Sequence, residues 1–208
     1  MIEQERLSLQ EKFLQACEKG NIEEVQLLLA NSTIDPNCEK EGWTGLHNAC
    51  YNGQTEIVKL LLNDNRVDIK RNKNKRKKSA FYVACEEGHI DVVKLFANDP
   101  RIDLNDQSNK AFSTPLICSC RSQRYEVMKY LLVIGGKDLK INVRDCHGKS
   151  AINHLRDHKR MDLIELLEEF QKNPTEIQFK LKKELGLLGN FTFSILFYFI
   201  ILNKKKIH

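Results

Sequence analysis

Apolar side chains recur along this chain in paired short runs. Phe13, Leu46, Phe81, Leu116 and Ile152 anchor five similar stretches, at spacings of 33, 35, 35 and 36 residues. Three positions after each of the first four anchors stands a small residue followed by cysteine: Ala16-Cys17, Ala49-Cys50, Ala84-Cys85 and Ser119-Cys120. A second run trails every anchor (IEEVQLLL, TEIVKLLL, IDVVKLF, YEVMKYLL, MDLIELL). Its apolar positions fall at i, i+3, i+4 and i+7, the buried stripe of an amphipathic helix. Two helical runs per period predict a stack of helix–turn–helix units. None of these can bury its apolar face alone.

The punctuation agrees with that phase. Thr44, Ser79, Thr114 and Ser150 stand where each first helix should be N-capped, and Pro115 takes the favoured first helical position. Ser8-Leu-Gln-Glu11 reads as a capping box for the first helix of the chain. Gly20, Gly53 and Gly88 can supply the left-handed turn that ends a first helix, whereas Gln123 and Lys159 occupy the same place in the last two units. The aligned small residues let neighbouring helices approach closely. Leu155-Arg156 replaces the small pair in unit five, as a terminal cap would, so units four and five should be the less regular end.

Gly42-Trp43-Thr44-Gly45-Leu46-His47-Asn48-Ala49-Cys50 with Gly53-Gln-Thr-Glu-Ile-Val-Lys-Leu-Leu-Leu62, Gly88-His89-Ile90-Asp91-Val92-Val93 and Thr114-Pro115-Leu116 together resemble the ankyrin-repeat family. The resemblance spans roughly residues 8–170 and implies an all-α solenoid of about five helix–turn–helix repeats joined by β-hairpin loops. The expected division is an ankyrin-repeat domain over 1–170, with repeats at 8–37, 38–70, 71–105, 106–144 and 145–170. A short capping helix over 171–186 follows, with Ile177, Leu181 and Leu185 on one face. A hydrophobic segment (187–202) and a basic tail (203–208) complete it.

Charge is unevenly spread. The chain holds 33 basic and 28 acidic side chains, a net of +5. Residues 70–78, KRNKNKRKK, carry seven of the basic groups and Lys204–Lys206 three more, which leaves the rest of the chain at a net of −5. An acidic body with basic appendages is unlike a general nucleic-acid binder, and the basic loop lacks the interleaved aromatics that stack bases. Seven cysteines and a charged N-terminal stretch without an apolar core argue against export and for reduced thiols.

Candidate chemistry is sparse. The repeat-phased Cys17, Cys50, Cys85 and Cys120 read as small core hydrophobes rather than metal ligands. His154 and His158, with Cys146 and His147 upstream, have a conceivable zinc spacing. The repeat register nevertheless puts both histidines at surface positions matching Asn48 and Asn52. Gly135-Gly136-Lys137 lacks a phosphate-loop spacing, and no hydrolase, zincin or kinase signature occurs. The expectation is no enzyme, no cofactor and no metal.

Function is therefore expected on the loops, a row of fingers at 37–43, 70–78, 105–113 and 144–149, together with the first helices. The expected contact residues are Trp43, Tyr51, Lys73, Lys75, Arg76, Lys77, Tyr82 and Glu86. Trp43 is the only tryptophan, a residue enriched at binding hot spots; packing at the finger base is its alternative use. Finger two reads either as a plain solvated loop, as a docking site for an acidic protein surface, or as a short import signal read by a nuclear import receptor. The resemblance also implies that Asn37 and Asn105 match an asparagine that the family's hydroxylases modify. The expected function is a non-catalytic adaptor that binds another protein. A membrane-tethered adaptor and a regulator acting through finger two are the alternatives. Cytoplasm is the expected compartment, with the nucleus or the cytosolic face of an internal membrane as options.

Residues 185–202 carry no charge and just reach the length of a membrane span. They read as a tail anchor, as an apolar cap on the last repeat, or as a product of gene prediction.

Overall fold

The computed structural model describes residues 2–69, 77–97 and 99–188. Helices α1 (Ile2–Lys19) and α2 (Ile22–Ala30) form the first unit. Strands β1 (Glu39–Lys40) and β2 (Trp43–Thr44) lead into α3 (Gly45–Tyr51) and α4 (Thr55–Asn63). The third and fourth units are α5 (Ala80–Glu87) with α6 (Ile90–Ala97) and α7 (Pro115–Arg121) with α8 (Tyr125–Gly135). The last unit is α9 (Ala151–Asp157) with α10 (Met161–Lys172), and α11 (Pro174–Glu184) lies against α8 and α10. First helices stack on first helices from α1 to α9, and second helices on second helices from α2 to α8.

The expected caps form. The hydroxyls of Thr44, Ser79, Thr114 and Ser150 each accept the N–H of the residue three positions on, which satisfies an otherwise orphaned donor of the first turn. The box expected at Ser8 does not form, because α1 starts at Ile2 and Ser8 lies inside it. Glu, Gln, Arg and Leu are strong helix formers, and their run over residues 3–7 carries the helix upstream of the hydroxyl. At the other end Asn173 caps α11 by accepting the N–H of Glu176, and Ile177 and Leu181 are buried.

The core follows the repeat. All five anchors but Ile152 are buried, as are Ala16, Ala49, Ala84 and Ser119. Cys17, Cys50, Cys85 and Cys120 are fully enclosed. Burial pushes their thiols up, Cys120 to about 12, so they stay protonated and pack as hydrophobes.

A second regularity ties each unit to the one before. The glycine that ends a first helix takes a left-handed conformation, with φ of 81° at Gly20, 69° at Gly53 and 87° at Gly88. A side chain of the next repeat lies over it and donates to a carbonyl of the helix's last turn. Gln54 reaches Glu18 O at 3.4 Å, His89 reaches Tyr51 O at 2.9 Å and Arg124 reaches Glu86 O at 3.1 Å. A Cβ on those glycines would stand 2.5–2.6 Å from these side chains. Gln123 keeps the same backbone conformation at φ 58° but carries a Cβ. Arg160, the aligned successor, turns away to Asp162 and stacks 4.2 Å from the Tyr125 ring centre. His158 closes Arg121 O instead, at 3.0 Å. His158 is thus a capping residue and only half-exposed.

His154 corrects the surface placement expected for it. The ring is buried, and its Nε2 donates to Asp145 Oδ2 at 2.8 Å. Among the described residues no group of three or more His, Cys, Asp or Glu side chains is arranged to hold a metal ion.

Candidate functional site

The first helices and the bases of the loops line a groove of about 770 Å³. Glu18 comes from α1, Glu41 and Trp43 from the β1–β2 turn, and Asn48 and Tyr51 from α3. Lys78 precedes α5, which adds Val83, Glu86 and Glu87; Ser122 and Arg124 follow α7.

Trp43 is held there by local geometry. Glu41 and Gly42, the two residues linking β1 to β2, both have positive φ (57° and 82°), as a type I′ hairpin turn requires. The hairpin pairs Lys40 with Trp43 and Glu39 with Thr44. It places the half-buried indole edge-on to Tyr51 (centroids 5.6 Å apart, 86°) and to His47 (5.8 Å, 70°). These are favourable aromatic arrangements. Trp43 therefore packs on rings of its own repeat while Tyr51 stays 49% exposed beside it. His47 braces the corner: its Nδ1 lies 2.9 Å from Thr44 Oγ1, and its Nε2 donates to Lys78 O at 3.0 Å across the repeat junction. Burial lowers the ring's pKa, with the Lys78 carbonyl opposing, and the imidazole acts as a neutral strut.

Tyr82 requires a correction. It is only 2% exposed, so it offers no contact surface to a partner. Its hydroxyl accepts from Arg121 at 3.0 Å, and Arg121 also reaches Glu86 Oε1 at 3.1 Å. Glu86 is also bonded to Lys78, whose ammonium lies 5.6 Å from the Tyr82 ring centre. Glu86, one of the expected contact residues, is the shared acceptor of two cations in the groove wall. The position could have been read from the alignment, since Tyr82 shares its repeat position with His47 and Ile117, both fully buried.

Lys77 is exposed at the end of finger two, and Lys73, Lys75 and Arg76 lie outside the described residues. Asn37 and Asn105 act as staples. The Asn37 amide donates to Arg66 O at 2.7 Å and accepts from Asp68 N at 2.8 Å; Asn105 does the same with Asp138 O at 3.0 Å and Lys140 N at 2.8 Å. Two organisers escaped the sequence reading. Asn109 Oδ1 accepts the N–H groups of Ala111 and Ser113, and Asp145 Oδ1 accepts those of His147 and Lys149. Both stand seven residues before their anchors, and that spacing was the available signal. Among the described residues, β1 and β2 are the only paired strands of any loop, and fingers three and four close as side-chain-stapled turns.

Among the described residues no helix is long and apolar enough to cross a membrane. The uncharged segment beyond Leu188 lies outside them.

Comparison with known proteins agrees with this architecture. A family model of ankyrin repeats in three copies matches residues 13–108. The Notch-regulated ankyrin repeat-containing protein of Xenopus tropicalis is 43% identical over 60 residues, 26% of this chain and 50% of that protein. Its Homo sapiens counterpart is 44% identical over 57 residues, 24% of this chain and 47% of that protein. The chain thus spans about half the length of the curated relatives it matches. Ankyrin repeats generally mediate protein–protein interaction and are typically non-enzymatic modules. Periodicity, capped helix pairs, left-handed junctions and the matched family model converge, and residues 13–108 are ankyrin repeats.

Proposed function

We propose that this protein is a non-catalytic adaptor that holds another protein against its fingers and the concave face of its first helices, with the Trp43–Tyr51 corner as the anchor point. The observation that supports this reading is an aromatic pair set edge-on inside a wide groove, with Tyr51 half-exposed and Trp43 braced from below by His47. Exposed tyrosine beside tryptophan offers large, rigid contact area at small entropic cost. The groove's charges are mixed. Four glutamates face one lysine and one arginine, and Glu86 is already engaged by Lys78 and Arg121. Such a lining favours a protein segment that brings both polar and apolar side chains.

The test is affinity capture from the source cell with the full chain as bait, comparing wild type with Trp43→Ala and Tyr51→Ala. Both variants should melt within a few degrees of wild type and lose a discrete captured protein. Unchanged capture by both would remove the groove from the contact surface.

A further inference from the structure

The residue four positions before each of the last four repeat anchors sits in a left-handed slot of its finger. It is Gly42 (φ 82°), Lys77 (57°), Phe112 (49°) and Gly148 (72°) in turn. Glycine is the physically expected occupant, because a Cβ crowds the backbone there. A bulky residue with positive φ is a genuine outlier. Fingers one and four obey, whereas fingers two and three carry a long cation and a phenyl ring.

Phe112 gives nothing back to the fold. Its ring is 60% exposed and belongs neither to the core nor to the side chains packed on it. The finger around it is nonetheless rigidly built. Buried Asn109 accepts from Ala111 N and Ser113 N and donates to Ser113 O at 2.5 Å. Gln107 donates to Phe112 O at 2.6 Å, and Cys146 N of the next finger donates to Ala111 O at 2.8 Å. Strain of this kind persists only where surrounding contacts over-determine it, and it concentrates at ligand clamps and switches. An apolar ring held in water on a strained backbone is unfavourable twice over for the chain by itself. Lys110 on the same finger and Lys77 on the preceding one are both exposed, two cations on a chain whose body is acidic.

We propose that Lys77 and Phe112 form a two-point contact for an acidic segment of a partner protein. A large apolar side chain of that segment covers the Phe112 ring, and its carboxylates meet Lys77 and Lys110. The proposal rests on the adaptor reading and names the chemistry of the partner. Stacked units lie about 8–10 Å apart, so neighbouring fingers span about three residues of extended chain. The partner segment therefore carries its acidic and apolar residues about that far apart.

The probe is a phage-displayed library of random linear peptides, selected on the full chain. Selected peptides should combine Asp or Glu with Leu, Phe or Trp. Phe112→Gly and Lys77→Glu should each weaken their binding about tenfold or more, and Leu27→Ala, at a still more exposed apolar site on α2, should leave it unchanged. Phe112→Gly should also melt about 2–4 °C higher once the backbone strain is relieved, an effect opposite to that of losing a structural ring. A lower melting temperature for Phe112→Gly, equal binding by that variant, or selection of basic peptides would overturn the proposal. Binders that depend on Trp43 and ignore Phe112 would overturn it and leave the groove standing. A library giving no binder sensitive to either residue would overturn both.

Discussion

Gly53→Ala probes the junction between repeats two and three. At φ 69° the residue lies in the left-handed region, where a side chain costs about 1–2 kcal/mol. The added Cβ would also stand 2.6 Å from His89 Nδ1 and 2.8 Å from its Cε1. Both contacts are on the ring itself, so the ring as a whole must leave. With it goes the 2.9 Å bond from Nε2 to Tyr51 O, worth about 1 kcal/mol net. The sum is about 2–3 kcal/mol, a fall in melting temperature of roughly 4–12 °C at about 2–4 °C per kcal/mol for a chain of this size. The mechanism is separable by a double-mutant cycle in thermal and urea unfolding followed by circular dichroism. His89→Ala alone should cost about 1 kcal/mol. Added to Gly53→Ala it should cost almost nothing more, because the bond can be lost only once. A neutral Gly53→Ala, or two costs that add, would refute the reasoning.

Gln123→Gly runs the same experiment in reverse and should stabilise the chain by about 1 kcal/mol, read as a higher melting temperature; a lower one would show that the Gln123 side chain is needed in place. Ala49→Leu, at a fully buried helix contact, should destabilise by about 1–3 kcal/mol through overpacking; no change in unfolding would mean that the repeat register is misassigned. For Asp145, burial acts to raise the pKa, but bonds from His154 and from the Lys149 and His147 N–H groups outweigh it and hold the carboxyl below its usual range. Its contribution is therefore present above the unfolded value of about 4 and disappears as pH falls through the lower folded value. Asp145→Asn should flatten the acid limb of the stability curve, and an unchanged limb would discharge Asp145 from that role.

The period, the caps and the left-handed helix ends were legible in the sequence because each is a local signal repeated in phase. The same register mislaid residues whose surroundings depend on one particular partner. His154 shares its repeat position with the half-buried Asn48, yet Asp145 sits within reach of it, and a register carries no information about such a partner. Tyr82 is enclosed by Arg121 of the next unit, although the repeat position it shares with His47 and Ile117 already marked it as buried. The fingers escaped for a related reason. The first closes through a Glu41-Gly42 turn with paired strands, whereas the third and fourth close through a buried Asn109 or Asp145 that accepts N–H groups of the same loop. Loop composition alone shows neither closure. Trp43 stood out in the sequence by its type alone, and its place beside Tyr51 became visible only with the hairpin in hand.

Hydrogen–deuterium exchange on the full chain, free and with its captured protein, addresses the concave face most directly. Binding should slow exchange in 41–52, 78–87 and 121–124, the segments that line the groove beyond Glu18, and should leave the second helices α2, α4 and α6 unaltered. Protection confined to those second helices, with the groove segments exchanging as in the free chain, would contradict the placement of the binding surface.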